Sequence, residues 1–335
     1  MTTSDVVRRT SDAAMAGHRD AESAAGWVDP ESTPDVPRPM SDAVGVIGIG
    51  AMGTPMSRNL ANRGFELVLC DAVSERAQAL AGPGVAVAAT PREVAERARR
   101  VITILPSLEA IEQVVLGADG VLRGARDGSV LIEMSTSLPA LSRRLSDELA
   151  GRGVRMLDVP VSGTTPAAEA GTLVGMVGGE ADVLEDCRPV LEAVCGRLFH
   201  CGGIGQGNAM KLAINLLIYV PTLAGFEALA LGAKVGLDPR TLLDVIGSGA
   251  ADSYIVKYKL GKALERDFVP GGSFDVAVKD LELAVELARE AGVPMLLPSL
   301  ALQAFGYAKQ AGLGQQDTAA LVTLYEKLLG LNIGG

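Results

Sequence analysis

The stretch Val44-Gly45-Val46-Ile47-Gly48-Ile49-Gly50-Ala51-Met52-Gly53 decides the fold. A short apolar run ends in the glycine pattern G-x-G-x-x-G, and helical periodicity follows from Met52 to Asn62. Gly48 suits a tight turn, Gly50 lets backbone approach a pyrophosphate, and Gly53 allows helix and strand to pack closely. Ala51 and Met52 stand where the first helical N–H groups would face phosphate oxygens. A strand–turn–helix with these glycines predicts a dinucleotide site at the head of a parallel sheet.

Working outward, Glu66–Cys70 reads as a second strand, and Asp71 follows it close to the ~20-residue spacing of the acid that binds an adenosine ribose. Its carboxylate would accept from ribose hydroxyls and repel a 2′-phosphate, and Ala72 supplies no cation, so NAD is expected over NADP. Arg76 lies near enough to complicate that preference, and Asp71 could instead cap the next helix. Val101–Leu105, Val130–Met134, Arg155–Val159 and Leu173–Gly178 read as later strands. Helical segments at Ser74–Ala81, Arg92–Arg99, Leu138–Leu149 and Asp182–Val194 fall between or after them. This alternation indicates an α/β fold with a parallel sheet covered on both faces. Leu105, Pro106 and Thr136 fall at C-terminal strand ends, where open α/β sheets bind ligands.

After Gly207 the pattern becomes purely helical. Asn208–Val235 reads as one long helix in which Pro221 is a potential kink. The expected organisation is therefore a tail over 1–42, a dinucleotide-binding Rossmann domain over 43–206 and an all-α domain over 207–335. The tail is rich in Asp, Glu, Ser, Pro and Ala without hydrophobic period, and is expected to be disordered. Lys211 and Asn215, four apart, share one helix face. A lysine and an amide can together hold a carboxylate or carbonyl and move a proton, although such a pair on a helix is more often solvated surface.

Composition narrows the function. The 335 residues carry a net charge of -10, which disfavours nucleic acid and anionic lipid as partners and makes local cations necessary for a small anionic substrate. No uninterrupted apolar run reaches the ~20 residues of a membrane span, so no membrane partner is expected. The N-terminus lacks the apolar stretch of a secretory signal. Cys70, Cys187, Cys195 and Cys201 have no paired spacing, and buried thiols in a reduced cytoplasm explain them better than a metal site.

Several separated segments, in order, resemble the β-hydroxyacid dehydrogenase family, which includes 3-hydroxyisobutyrate dehydrogenases and tartronate semialdehyde reductases. They are GVIGIGAMGTPMSRNL, DVPVSG at Asp158–Gly163, GTLVGMVGG at Gly171–Gly179, GIGQGNAMKLAIN at Gly203–Asn215 and FDVAVKDLELA at Phe274–Ala284. The resemblance implies a Rossmann domain, a long linking helix and an all-α domain that joins subunits into a homodimer or homotetramer. It implies hydride transfer between NAD and a small 3-hydroxy acid or its semialdehyde, with no metal. Lys211 matches the family's proton-transferring lysine, and Asn215 matches its substrate-orienting asparagine. Ser162 and Gly163 match the loop that holds the substrate carboxylate, and Lys279 a lysine beside the nicotinamide. The family often reads Ser-Gly-Gly in that loop, whereas here Thr164 takes the third place and offers a hydroxyl to a larger oxyanion or a polyhydroxy acid. An imine reductase and a non-catalytic dinucleotide-binding assembly protein are the alternatives; relatives of both kinds lack the lysine that Lys211 matches.

Overall fold

The computed structural model describes residues 43–334, and the tail expected over 1–42 lies outside the described residues. The first half alternates strands and helices. β1 (Val44–Ile47), α1 (Gly53–Asn62), β2 (Leu67–Cys70), α2 (Ser74–Gln78), β3 (Val85–Val87), α3 (Pro91–Arg97) and β4 (Arg100–Thr103) come first. α4 (Leu108–Leu116), α5 (Val121–Gly124), β5 (Val130–Glu133), α6 (Pro139–Ala150), β6 (Arg155–Asp158) and β7 (Val161–Ser162) follow. Then come α7 (Thr165–Glu169), β8 (Leu173–Gly178), α8 (Ala181–Leu191) and β9 (Cys195–Gly202). The rest is helical: α9 (Gln206–Lys234), α10 (Pro239–Ser248), α11 (Tyr254–Leu264), α12 (Phe274–Glu290), α13 (Leu297–Ala308) and α14 (Leu321–Leu329).

The sheet runs β3-β2-β1-β4-β5-β6-β8-β7, with β9 paired to β8. β1 lies between β2 and β4, in parallel register Val44↔Leu67 and Val44↔Arg100. Strand order therefore reverses at β1, and a ligand crevice opens beyond the carboxyl ends of β1 and β4. Successive strand residues bury on opposite faces. Val130 and Ile132 join the cluster with Leu60 and Leu191, while Leu131 joins the one with Val94 and Leu145. A separate core fills the helical part around Phe226, Phe274 and Phe305, the last two meeting edge-on at 5.7 Å between ring centres.

The parallel sheet expected from the alternation is present from β3 through β6, and the far end departs from it. β8 pairs antiparallel with β6 and β7. The five-residue α7 is too short for a parallel crossover, which needs about a dozen residues or more, so the chain turns straight back. α8 restores a crossover, and β9 lies parallel to β8. β3, β7 and β9 went unread because they are short, or half exposed without alternation, and α4 and α5 were missed between Leu105 and Val130.

α9 is longer than any apolar run in the sequence suggested. By length and composition its 29 residues suffice to cross a membrane, with a mean hydropathy of 1.7 in its best window. One face packs on β6, β8, α11 and α12 and buries Asn208, Lys211 and Asn215, and 39% of that window is buried. The helix continues unbroken through Pro221.

Candidate active site

The glycine turn between β1 and α1 admits no side chains at its two ends. Gly48 has φ 100°, and a Cβ there would overlap the Ile104 carbonyl; a Cβ on Gly53 would overlap the Gly48 carbonyl. Around Gly50 nothing lies within 4 Å of a built Cβ, so backbone meets open space where a pyrophosphate would lie. Met52 precedes α1 without a side-chain cap, and no acidic residue sits in the first turn, which leaves the helix N–H groups available to an anion. An open cleft of about 390 Å³ adjoins this turn, lined in part by Gly50, Ala51, Arg58 and Arg76. The turn therefore fits a dinucleotide.

Asp71 ends β2 with its side chain only 7% exposed. Its Oδ2 accepts from Ile49 N at 2.6 Å, its Oδ1 from Val73 N at 2.8 Å, and Arg76 lies 3.5 Å away. The carboxylate is thus locked to the turn, with Arg76 as counter-charge. Beyond β4, Leu105 is half buried, and its N donates to Ser135 Oγ at 2.8 Å; Pro106 is exposed. Thr136, just past β5, offers its carbonyl to Lys279 Nζ at 3.4 Å. Leu105 and Thr136 so belong to one lip, and Lys279 ties that lip to α12.

Lys211 and Asn215 are not solvated surface. Lys211 is 8% exposed and Asn215 1% exposed, on the α9 face that also carries Tyr219. Asp280 organises this face. Its Oδ2 accepts from Asn215 Nδ2 and from the Tyr219 hydroxyl, each at 2.9 Å, and its Oδ1 faces Lys279 Nζ at 3.0 Å. Because a carboxylate only accepts, the Asn215 amide must turn its nitrogen to Asp280. Asn215 Oδ1 is then left buried without a partner, an acceptor for an incoming hydroxyl or ammonium. Burial lowers the Lys211 pKa from 10.5; Asp280 opposes that shift and Lys279 reinforces it.

The loop expected to hold the substrate carboxylate lies on β7 and the turn after it. Ser162 pairs with Val174 of β8, and Gly163 at φ 141° could not carry a Cβ without meeting Leu173 at 2.7 Å. Thr164 precedes α7 without capping it, and its Cγ2 lies 3.8 Å from a Cβ built on Gly271, so the loop faces the segment leading into α12. Among the described residues, no hydrogen bond joins Ser162, Gly163 or Thr164 to Lys211, Asn215 or Lys279. No group of three or more His, Cys, Asp or Glu that could hold a metal is found among the described residues.

Sequence reasoning missed Asp280 and Tyr219. Tyr219 was detectable, lying one further turn along the Lys211–Asn215 stripe, and Asp280 adjoins Lys279; neither spacing revealed that they meet.

Two family descriptions cover the chain in succession. Residues 43–203 match the NAD binding domain of 6-phosphogluconate dehydrogenase, and 205–325 match the NAD-binding domain of NADP-dependent 3-hydroxyisobutyrate dehydrogenase. The chain is 35% identical to the 2-(hydroxymethyl)glutarate dehydrogenase of Eubacterium barkeri, across 87% of this chain and 97% of that one. It is 34% identical to the L-threonate dehydrogenase of Cupriavidus necator, across 85% and 97%. Among solved structures, the 3-hydroxyisobutyrate dehydrogenase of Mycobacterium tuberculosis with L-serine superposes with a TM-score of 0.78 at 32% identity, across 85% of this chain and 99% of that one.

Proposed function

The chain belongs to the β-hydroxyacid dehydrogenase family, and from that premise we propose that it interconverts a small 3-hydroxy acid and its semialdehyde, with Lys211 moving the proton. It is an oxidoreductase acting on a CH–OH group. The observation that carries the reading is Lys211 itself: a buried amine of lowered pKa, beside Lys279 and next to an asparagine with a free oxygen.

A bound nicotinamide dinucleotide supplies the hydride acceptor or donor. As the alcohol is oxidised, the neutral Lys211 amine takes the hydroxyl proton; in reduction the ammonium returns it to the carbonyl oxygen. Desolvation lets the amine lose its proton at a pH where an exposed lysine keeps it. Asn215 Oδ1 accepts from the substrate hydroxyl and so orients it. Ser162 and Gly163 receive the carboxylate, and the Thr164 hydroxyl selects for a polar substituent beyond it. Gly48, Gly50, Ala51, Met52 and Gly53 cradle the pyrophosphate, with Leu105, Pro106, Thr136 and Lys279 around the nicotinamide. NAD is the preferred cofactor because the buried Asp71 carboxylate would meet a 2′-phosphate, its neighbouring Arg76 already being engaged. The proposed boundary falls at 206/207: the Rossmann domain before it holds most of the dinucleotide and, through Ser162, Gly163 and Thr164, the substrate carboxylate, and the all-α domain after it supplies Lys211, Asn215, Lys279 and the subunit pairing. Exposed apolar residues on the helices past that point, among them Met210, Leu217 and Leu231, support a homo-oligomer.

The test is NADH and NADPH formation from 3-hydroxyisobutyrate, glycerate, threonate, serine, 2-(hydroxymethyl)glutarate and dihydroxypropanesulfonate. Lys211→Ala should lower turnover of the active compound by about 10³-fold or more, in line with loss of a general base, while dinucleotide affinity stays within about threefold. Wild-type kcat/KM for oxidation should rise with pH to a midpoint below 10.5, the side on which the lysine loses its proton. Undiminished turnover in Lys211→Ala overturns the assignment.

A further inference from the structure

The helix that carries Lys211 begins without a cap of its own. Gly205, just before α9, has φ 89° and no side chain to offer. The first turn is satisfied from the sheet instead, by Asp158 at the end of β6. Asp158 Oδ1 accepts from Gly205 N at 2.7 Å, and its Oδ2 accepts from Asn208 N at 2.8 Å. Two glycines make room for this approach. A Cβ on Gly178 would overlap the Asp158 carboxylate, and one on Gly207 would overlap the Met176 and Asp158 carbonyls.

Asn208 then fastens the same turn to the lip of β5. Its Oδ1 accepts from Ser137 N at 2.8 Å, and its Nδ2 donates to Ser142 Oγ at 3.1 Å. Ser137 directly follows Thr136, the residue that Lys279 reaches from α12. Asp158, Asn208, Ser137 and Ser142 are all at most 1% exposed. No water competes for these bonds, and the helix cannot slide or rotate without leaving a buried donor unpaired.

Lys211 lies three residues beyond Asn208 on the same buried face, and Asn215 and Tyr219 lie beyond it, held by Asp280. The lysine is therefore bracketed by two buried carboxylates, each gripping α9 on one side of it. Asp280 belongs to the site already described; Asp158 touches neither Lys211 nor the expected ligands. We propose that Asp158 and Asn208 are positioning residues, which lock the first turn of α9 to the β5 lip and so set where the Lys211 amine can reach. This rests on the reading of Lys211 as the proton-transferring group.

Asp158→Asn keeps the shape but leaves one oxygen to serve two N–H groups, with an amide N–H turned against the other. It should lower kcat by about 10- to 100-fold, the scale of loss expected when a reacting group is misplaced by about 1 Å. Dinucleotide affinity, read by fluorescence titration, should stay within about threefold. Ser142→Ala is the milder variant, removing only the acceptor for Asn208 Nδ2, and should lower kcat by about threefold. Methylamine supplied to Lys211→Ala is not tied to α9, so adding Asp158→Asn should leave the rescued rate unchanged.

A readout free of substrate completes the test. Competitive acetylation by acetic anhydride, quantified by mass spectrometry, should show Asp158→Asn changing the Lys211 labelling rate relative to Lys234, on the same helix, by about fivefold or more. Unchanged Lys211 labelling, or equal losses in kcat and dinucleotide affinity, overturns the proposal. If the wild-type protein oxidises none of the six compounds, the functional reading fails by itself, and the labelling ratio still decides the role of Asp158.

Discussion

Glu133 ends β5 with one oxygen used and the other idle. Oε1 accepts from Ser135 N at 2.8 Å, while Oε2 is buried without a partner. Its register neighbours are Thr103 on β4, whose hydroxyl is likewise unpartnered, and Asp158 on β6. Burial pushes the Glu133 pKa up to about 8, with Asp158 adding to the rise and Ser135 and Lys279 opposing it. Burial likewise pushes Asp158 up to about 6 against the backbone N–H groups it receives. For both acids the folded value exceeds the unfolded one, so the folded state binds more protons between the two. Their stabilising contribution is full below the unfolded values and is lost as pH rises through about 6 and then about 8. Glu133→Gln removes the larger effect. Its Tm should match wild type near pH 5 and exceed it by several degrees at pH 9, at about 2–4 °C per kcal/mol for a domain of this class. Thermal scans at the two pH values check this, and a constant difference would contradict a titrating Glu133.

At the scale of elements, the junction of β1 and α1 holds the tightest backbone approach in the dinucleotide half. Gly53 is helical and needs no unusual φ; what forbids a side chain is the Gly48 carbonyl against it. Gly53→Ala must therefore push α1 away from β1. It should cost about 1–3 kcal/mol, as overpacking a tight core does, and weaken NADH binding by about tenfold or more, because the N–H groups proposed to face phosphate move with the helix. Thermal denaturation and fluorescence titration measure both. A stable variant with full affinity would show that helix and turn are not held as one unit. Arg76→Ala at the neighbouring strand end would leave the Asp71 hydrogen bonds to Ile49 and Val73 intact, since these run through backbone.

For the whole molecule, the telling feature is where apolar surface remains. Met210, Leu217 and Leu231 stand 45%, 71% and 67% exposed along one helix, with exposed Ala224 completing a seven-residue repeat, and Leu296, Leu297, Leu300 and Tyr307 are exposed around α13. A stripe repeating every seven residues presents one face along the helix, and a monomer rarely exposes so extended an apolar surface. Light scattering should give a mass that is a multiple of 34.6 kDa. Leu217→Glu with Leu231→Glu places two charges where a partner would strip their water, and should shift the species towards 34.6 kDa. A monomeric wild-type protein would refute the subunit pairing assigned to these helices.

The sequence alone determined the parts whose information is local. Glycines at Gly48, Gly50 and Gly53 impose a turn through backbone geometry, and Asp71 follows within the same βαβ unit. The Lys211–Asn215 pair was legible as one helix face because 3.6 residues make a turn. Family resemblance implied a role for that face which spacing alone could not. Only the tertiary structure decided what surrounds it. Asp280 reaches Asn215 across 65 residues and Asp158 reaches Asn208 across 50, and each carboxylate reads in the sequence as an ordinary acid. The antiparallel return of β8 was hidden for the same reason: strand residues report burial, while direction depends on how much chain lies between strands. Local periodicity encodes which side of an element is buried, and the partner buried against it is settled only when distant elements pack.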